Sequence, residues 1–167
     1  MKPWGAVAAL LTILIAVLWE VKTMRTGRAE FKEKFFKENA GADTAGIPLL
    51  LLLALAAYES GDGTGAIAQR TNNIFSITSG KNWKGPILKA STGYTFRVYP
   101  SWRAATADFV ALLVGWPSNY GRALAAGQAG DLEAFAKALQ AAGYGDPGKM
   151  SYAAELLARA GAYQNIA

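Results

Sequence analysis

The sequence predicts a mainly α-helical domain with one short β-hairpin, carried behind an N-terminal membrane-spanning helix. Three observations predict it. Apolar residues recur at helical spacing through most of the chain. Two β-prone runs flank a Thr-Gly turn within residues 87–99, and no other stretch reads as a strand. Pro3 to Trp19 contains no charged residue. A chain of 167 residues is long enough for one modest domain with a real core plus an appendage. With 52% hydrophobic and only 17% charged residues, a disordered polyelectrolyte is excluded.

There is no His and no Cys. That excludes a Ser-His-Asp triad, a His-ligated metal, a disulfide framework and a thiol nucleophile. Any chemistry rests on carboxylates, hydroxyls, amides and Lys, and no cofactor is expected. The net charge of +5 is mild and spread along the chain. Nucleic-acid binding would need basic residues clustered on one face with aromatics between them, so nucleic acid is not an expected partner. A polyanionic surface such as phospholipid or cell wall suits the excess better.

Residues 1–20 read as a transmembrane anchor. As a helix, the uncharged run from Pro3 to Trp19 would span about 25 Å, the short end for a bilayer. Trp4 and Trp19 bracket it as interfacial aromatics do. A cleaved signal peptide is the rival, but Glu20, Val21 and Lys22 follow where an A-x-A-like site would be needed. Lys22, Arg25 and Arg28 follow the segment while Lys2 alone precedes it, a small bias toward a cytoplasmic C-terminal part.

Residues 21–46 read as a charged helical stalk and linker. Phe31, Phe35 and Phe36 form one apolar stripe, expected to pack on the domain or on a virion or envelope assembly partner. Glu30 with Lys34, and Glu33 with Lys37, are spaced as i,i+4 pairs. Residues 40–46 are small and polar and lead to Pro48.

Residues 47–167 read as the globular domain. Ile47 to Tyr58 is almost wholly apolar, too short to span a bilayer, and reads as a helix buried on most sides, with Pro48 in its first turn. Glu59 follows, then a Gly-rich turn. A carboxylate at the end of a buried helix has its ionised form disfavoured, which suits a general acid near neutral pH. A short helix leads next to Asn72 and Asn73, which either cap backbone or bind sugar hydroxyls and acetamido groups. Trp83, Tyr94, Tyr99 and Trp102 surround the hairpin, as core or as sugar platforms. Helices follow over 102–114, Tyr120 to Ala126, a segment capped by Asp131, and Tyr152 to Ala160, the last behind an Asp146-Pro147 start signal.

The segment AAYESGDGTGAIAQRTNNIFSI resembles glycoside hydrolase family 73, the glucosaminidase-type peptidoglycan hydrolases that include the flagellar rod-associated enzyme. Trp83 to Pro86, Phe96 to Ser101, Leu112-Leu113, Asn119-Tyr120 with Ala123-Leu124, and Phe135 to Tyr144 resemble later motifs of that family in the same order. The resemblance covers residues 48–160. It implies a lysozyme-like α+β fold and hydrolysis of β-1,4 bonds in the wall glycan, with Glu59 as general acid. It further implies substrate contacts at Asn72, Asn73, Phe75, Trp83, Tyr99 and Tyr120, and a role for Tyr144 near the reacting sugar.

Some residues depart from the pattern. Asp62 stands where the family commonly has Trp, and Ser76 where Gly is usual. The hairpin is short, and residues 85–103 hold no acidic residue to serve as a second carboxylate. The second group is then Asp62, Asp146, or the substrate's own 2-acetamido group. A one-acid site also suits a lytic transglycosylase; a muramidase or a non-catalytic wall-binding module are further readings. The expected setting is a single-pass membrane protein facing peptidoglycan, or the internal membrane of a phage virion.

Overall fold

The computed structural model describes residues 4–144 and 152–164; within it the side chains of 4–12, 15, 19, 21, 25 and 26 are also outside the description. Seven helices and one two-stranded sheet are seen among the described residues. They are α1 (Trp4–Asn39), α2 (Leu49–Ser60), α3 (Ala66–Thr71), β1 (Ile87–Lys89), β2 (Thr95–Arg97), α4 (Trp102–Gly115), α5 (Pro117–Gln128), α6 (Leu132–Ala141) and α7 (Tyr152–Gln164). The expected mainly helical domain with one hairpin is what forms.

Helix α2 is the centre of the core. Leu52, Leu53, Leu55, Ala56 and Ala57 are fully buried, which is why its sequence carries no polar face. Pro48 stands just outside it as the N-cap residue rather than in its first turn. Helix α7 packs along α2, and α5 and α6 form a close pair. Asp131 caps α6 as expected, accepting the Ala134 N–H at 2.9 Å. Helix α5 starts earlier than the sequence indicated, because Pro117 supplies a ready first turn. The Asp146-Pro147 start signal lies outside the described residues.

The hairpin pairs Ile87 with Arg97, Leu88 with Phe96 and Lys89 with Thr95. It is tied to the helical body through Asn73, whose amide donates to the carbonyls of Ile77 at 2.8 Å and Arg97 at 3.0 Å.

The segment read as anchor and the helical stalk run on as one helix of 36 residues. The expectation of a transmembrane helix changes: no helix among the described residues is long and apolar enough to cross a membrane. From Ile13, the first described side chain, the apolar stretch reaches Glu20 and Lys22 within two to three turns, too short for a span. The rest of the segment expected to cross lies outside the described side chains.

The Phe stripe packs on the domain itself. Phe31 and Phe35 are buried, and the Phe31 ring lies 4.9 Å from that of Trp102 and 6.2 Å from that of Tyr163. Lys34 sits 3.9 Å over the Trp102 ring and 3.8 Å from Glu38, rather than pairing with Glu30. Glu38 in turn accepts the Trp102 N–H at 2.8 Å, satisfying a free donor at the start of α4. Gly63 fits under this helix: a Cβ there would come within 2.9 Å of the Phe31 ring, and its φ of +76° already favours glycine. Gly63→Ala is expected to destabilise the protein by about 2 kcal/mol, through crowding and backbone strain. Urea unfolding of the full chain checks this.

Candidate active site

Glu59 occupies the last turn of α2, where the helix leaves the core. The chain turns at once: Gly61 takes the left-handed conformation that ends the helix, with φ 59°. Ser60 closes the turn by accepting the Gly63 N–H at 2.8 Å on its hydroxyl. The carboxyl is thus presented at the rim of the core on a rigid element.

Helix α7 holds that rim by a reciprocal pair of bonds. The Tyr152 hydroxyl donates to Glu59 Oε1 at 3.1 Å, and the Tyr58 hydroxyl donates to Glu155 at 2.9 Å. The Tyr58 and Tyr152 rings meet edge to face at 5.2 Å. Burial, and then the Glu59 carboxylate, push the Tyr152 hydroxyl far above its ordinary value, so it stays a donor. Its bond fixes the Glu59 rotamer.

Glu59 opens into a cleft of about 670 Å³ between the helical body and the hairpin. Phe75, Ser76, Tyr94, Arg97, Trp116, Tyr120 and Tyr144 are among its walls, and Glu59 is the one carboxylate among the described residues that line it. A larger hollow of about 900 Å³ lies between α5 and α6, but it contains no acid and does not include Glu59.

The glucosaminidase family, described as mannosyl-glycoprotein endo-beta-N-acetylglucosaminidase, matches residues 38–165. The chain belongs to this family. Among glucosaminidase relatives, the peptidoglycan hydrolase FlgJ of Escherichia coli is 37% identical over 115 residues, covering 60% of this chain and 36% of its own length. FlgJ of Salmonella typhimurium is 36% identical over 118 residues. This chain therefore spans about a third of those curated relatives. A peptidoglycan hydrolase from a Sphingomonas species superposes with a TM-score of 0.65 at 32% identity, covering 78% of this chain and 86% of that one. The glycoside hydrolase domain of Salmonella typhimurium FlgJ, C-terminally truncated, gives 0.63 at 30% identity, with 84% and 99% covered. The fold is the lysozyme-like glucosaminidase fold expected.

The two departures from the family pattern have structural accounts. Ser76 stands with φ 52°, the left-handed region that favours glycine. Its hydroxyl donates to the Glu59 carbonyl at 3.1 Å, which ties the cleft wall to the end of α2. Asp62 is not in the cleft lining. Its carboxylate meets Arg159 at 2.6 Å and Arg28 at 3.4 Å, and accepts the Tyr163 hydroxyl at 2.6 Å. It clamps α1 and α7 to the turn after α2.

The glucosaminidase cleft brings together only some of the expected residues. Tyr144 lines it, but its hydroxyl donates to the Phe75 carbonyl and its ring packs edge to face on Phe109. Burial, followed by the Glu59 carboxylate, holds that hydroxyl well above its ordinary value. Phe75 is fully buried and stacks on Phe109 at 4.7 Å, so it supports the wall from behind. Tyr120 lines the cleft from α5 and is mostly buried.

Asn72, Asn73, Trp83 and Tyr99 lie outside the lining of this cleft. Asn72 donates to the Tyr99 carbonyl at 3.0 Å, and Asn73 spends its amide on backbone. Tyr99 is buried and donates to Asp108 at 2.5 Å. Trp83 packs under the Arg97 guanidinium at 4.8 Å and donates to the Pro86 carbonyl. Asp146 lies outside the described residues. Sequence reasoning missed Tyr152 as the partner of Glu59. The only signal was its place on the buried stripe of α7, with Leu156, Ala160 and Tyr163.

Proposed function

We propose that this chain hydrolyses β-1,4 glycosidic bonds of the peptidoglycan glycan as an endo-β-N-acetylglucosaminidase, with Glu59 as the general acid. The observation that carries this reading is the Glu59 carboxyl, held by Tyr152 at the floor of the cleft. Glu59 gives its proton to the leaving glycosidic oxygen. The oxygen of the substrate's 2-acetamido group bonds to the anomeric carbon as the glycosidic bond breaks, forming an oxazolinium ring. Water then attacks that carbon, opens the ring and returns a proton to Glu59. This substrate-assisted route is favoured because Asp62, the acid nearest in sequence, is engaged by two arginines and Tyr163.

Mass spectrometry of sacculi digested by the full chain tests it. Reducing GlcNAc ends are expected. Reducing MurNAc ends would make the enzyme a muramidase, anhydro-MurNAc a transglycosylase, and binding without any product a wall-binding module. Retention of anomeric configuration is expected; inversion overturns the acetamido route.

We further propose that the apolar start of α1 is seated in a lipid bilayer, with the domain facing peptidoglycan. Ile13, Leu14, Val17 and Leu18 are each about half or more exposed, and the domain does not cover them. The protein is expected to stay in the membrane fraction after an alkaline carbonate wash, and release by the wash overturns the anchor. Protease added on the periplasmic side of intact spheroplasts is expected to digest the domain. Protection would instead favour the cytoplasm-facing insertion of a virion-membrane protein.

A further inference from the structure

The aromatic residues of this chain are mostly hidden. Phe31, Phe35, Phe75, Phe109, Phe135, Tyr152 and Tyr163 are at most 3% exposed. Two described rings break that rule: Tyr94 is 65% exposed and Trp116 is 56% exposed. Both line the cleft that holds Glu59. Large apolar rings left in water beside a reactive carboxyl are what a ligand with apolar faces would cover.

The two rings stand on opposed parts of the fold. Tyr94 is at the hairpin end, where its carbonyl accepts the Ala90 N–H at 2.9 Å. Trp116 is the single residue between α4 and α5, and its carbonyl accepts the N–H groups of Asn119 and Tyr120 at 3.0 and 2.8 Å. Backbone bonds hold the Cα positions that carry both rings, and each ring has only two χ angles to order on binding. Among the described residues neither ring meets another aromatic ring.

Trp116 also borders a second space. Between Asn82, Trp83, Arg97 and Trp116 lies a recess of about 270 Å³. Arg97, Leu112 and Trp116 line both it and the Glu59 cleft. Arg97 stands between the two spaces, paired with Asp108 at 2.7 Å and donating to the Thr78 carbonyl at 3.1 Å. Asn82 adds an amide at the recess wall, suited to sugar hydroxyls.

We propose that Tyr94 and Trp116 are stacking platforms for pyranose rings of the glycan strand, and that the recess beyond Trp116 receives a further sugar. This rests on the glycan reading of the Glu59 site. The C–H face of a pyranose is flat and apolar while its rim is hydroxylated. Tyr and Trp suit it because each offers an apolar face with a polar edge. The recess then extends recognition by one ring past the cleft, so longer strands bind better than short ones.

The test uses peptide-free glycan strands of graded length and the full chain. Trp116→Ala is expected to raise KM by about tenfold and leave kcat within about threefold, since uniform binding is what is lost. Tyr94→Ala is expected to act in the same direction. Trp116→Phe is expected to restore most of the affinity. The wild type is expected to prefer longer strands, and Trp116→Ala to flatten that preference. An unchanged KM in both alanine variants, with unchanged thermal midpoints, overturns the proposal. So does a loss confined to kcat. If the wild type releases no product, the glycosidase reading fails by itself. Strand binding by Glu59→Gln, alone and combined with Trp116→Ala, then decides the platforms: a tenfold weaker Kd in the double variant supports them and equal Kd values overturn them.

Discussion

Glu59→Gln is expected to lower turnover of purified sacculi by roughly 100- to 10,000-fold, the range that general acid–base catalysis contributes. The amide keeps an acceptor for the Tyr152 hydroxyl, so the end of α2 is expected to hold and the thermal midpoint to change by only a few degrees. Binding of glycan strands should survive. Dye release from labelled sacculi, read beside a thermal melt, checks both halves. A companion variant, Tyr152→Phe, removes the bond to Glu59 while keeping the buried ring. It is expected to reduce kcat by roughly tenfold, the scale of a misplaced rather than missing group. Full activity in Glu59→Gln would end the mechanism.

Asp62→Ala is expected to destabilise the protein by about 3 kcal/mol, at the low end for a broken buried pair because the Asp62 side chain is still 16% exposed. Arg159 and Arg28 are left as like charges with their shared partner gone, and the buried Tyr163 hydroxyl loses its acceptor. For a chain of this length that corresponds to a fall in thermal midpoint of roughly 6–12 °C. Below the new midpoint turnover is expected within about tenfold of wild type, since the residue shapes the turn after Glu59 and does not face the cleft. A catalytic base would give the opposite pattern: full stability and a loss of ~1000-fold or more. Measuring both quantities on one preparation separates the two roles.

Much of the frame was legible in the residues. An apolar run from Ile47 to Tyr58 reads as a buried helix, and a carboxylate at the end of such a helix is an unusual place for a charge. The Phe31 and Phe35 stripe announced packing, and Asp131 announced a cap. What stayed hidden were partnerships between distant residues. Periodicity places Tyr152 on a buried face but says nothing of Glu59, met 93 positions away. Asn73 illustrates a different limit. An asparagine amide serves a sugar or a backbone carbonyl equally well, and only the approach of β2 decides for the carbonyl. Asp62 is similar: its spacing from Glu59 invites a catalytic role, while Arg28 and Arg159, from opposite ends of the chain, take its charge. Trp116 and Tyr94 were drawn outward by turns whose geometry follows from neighbouring helices and strands rather than from the residues themselves.

The unbroken course of α1 makes it a ruler. Its 36 residues measure about 54 Å end to end at helical rise. A flexible tether of that many residues would average only about 33 Å between its ends, spread over a broad range. Because Phe31, Phe35 and Glu38 lock the far end of the rod to the domain, the cleft is fixed in height and facing relative to the near end. The start of α1 and the Glu59 cleft therefore stand at a set separation, and inserting or deleting residues before Arg28 would change it by ~1.5 Å for each and turn the cleft by about 100° about the helix axis.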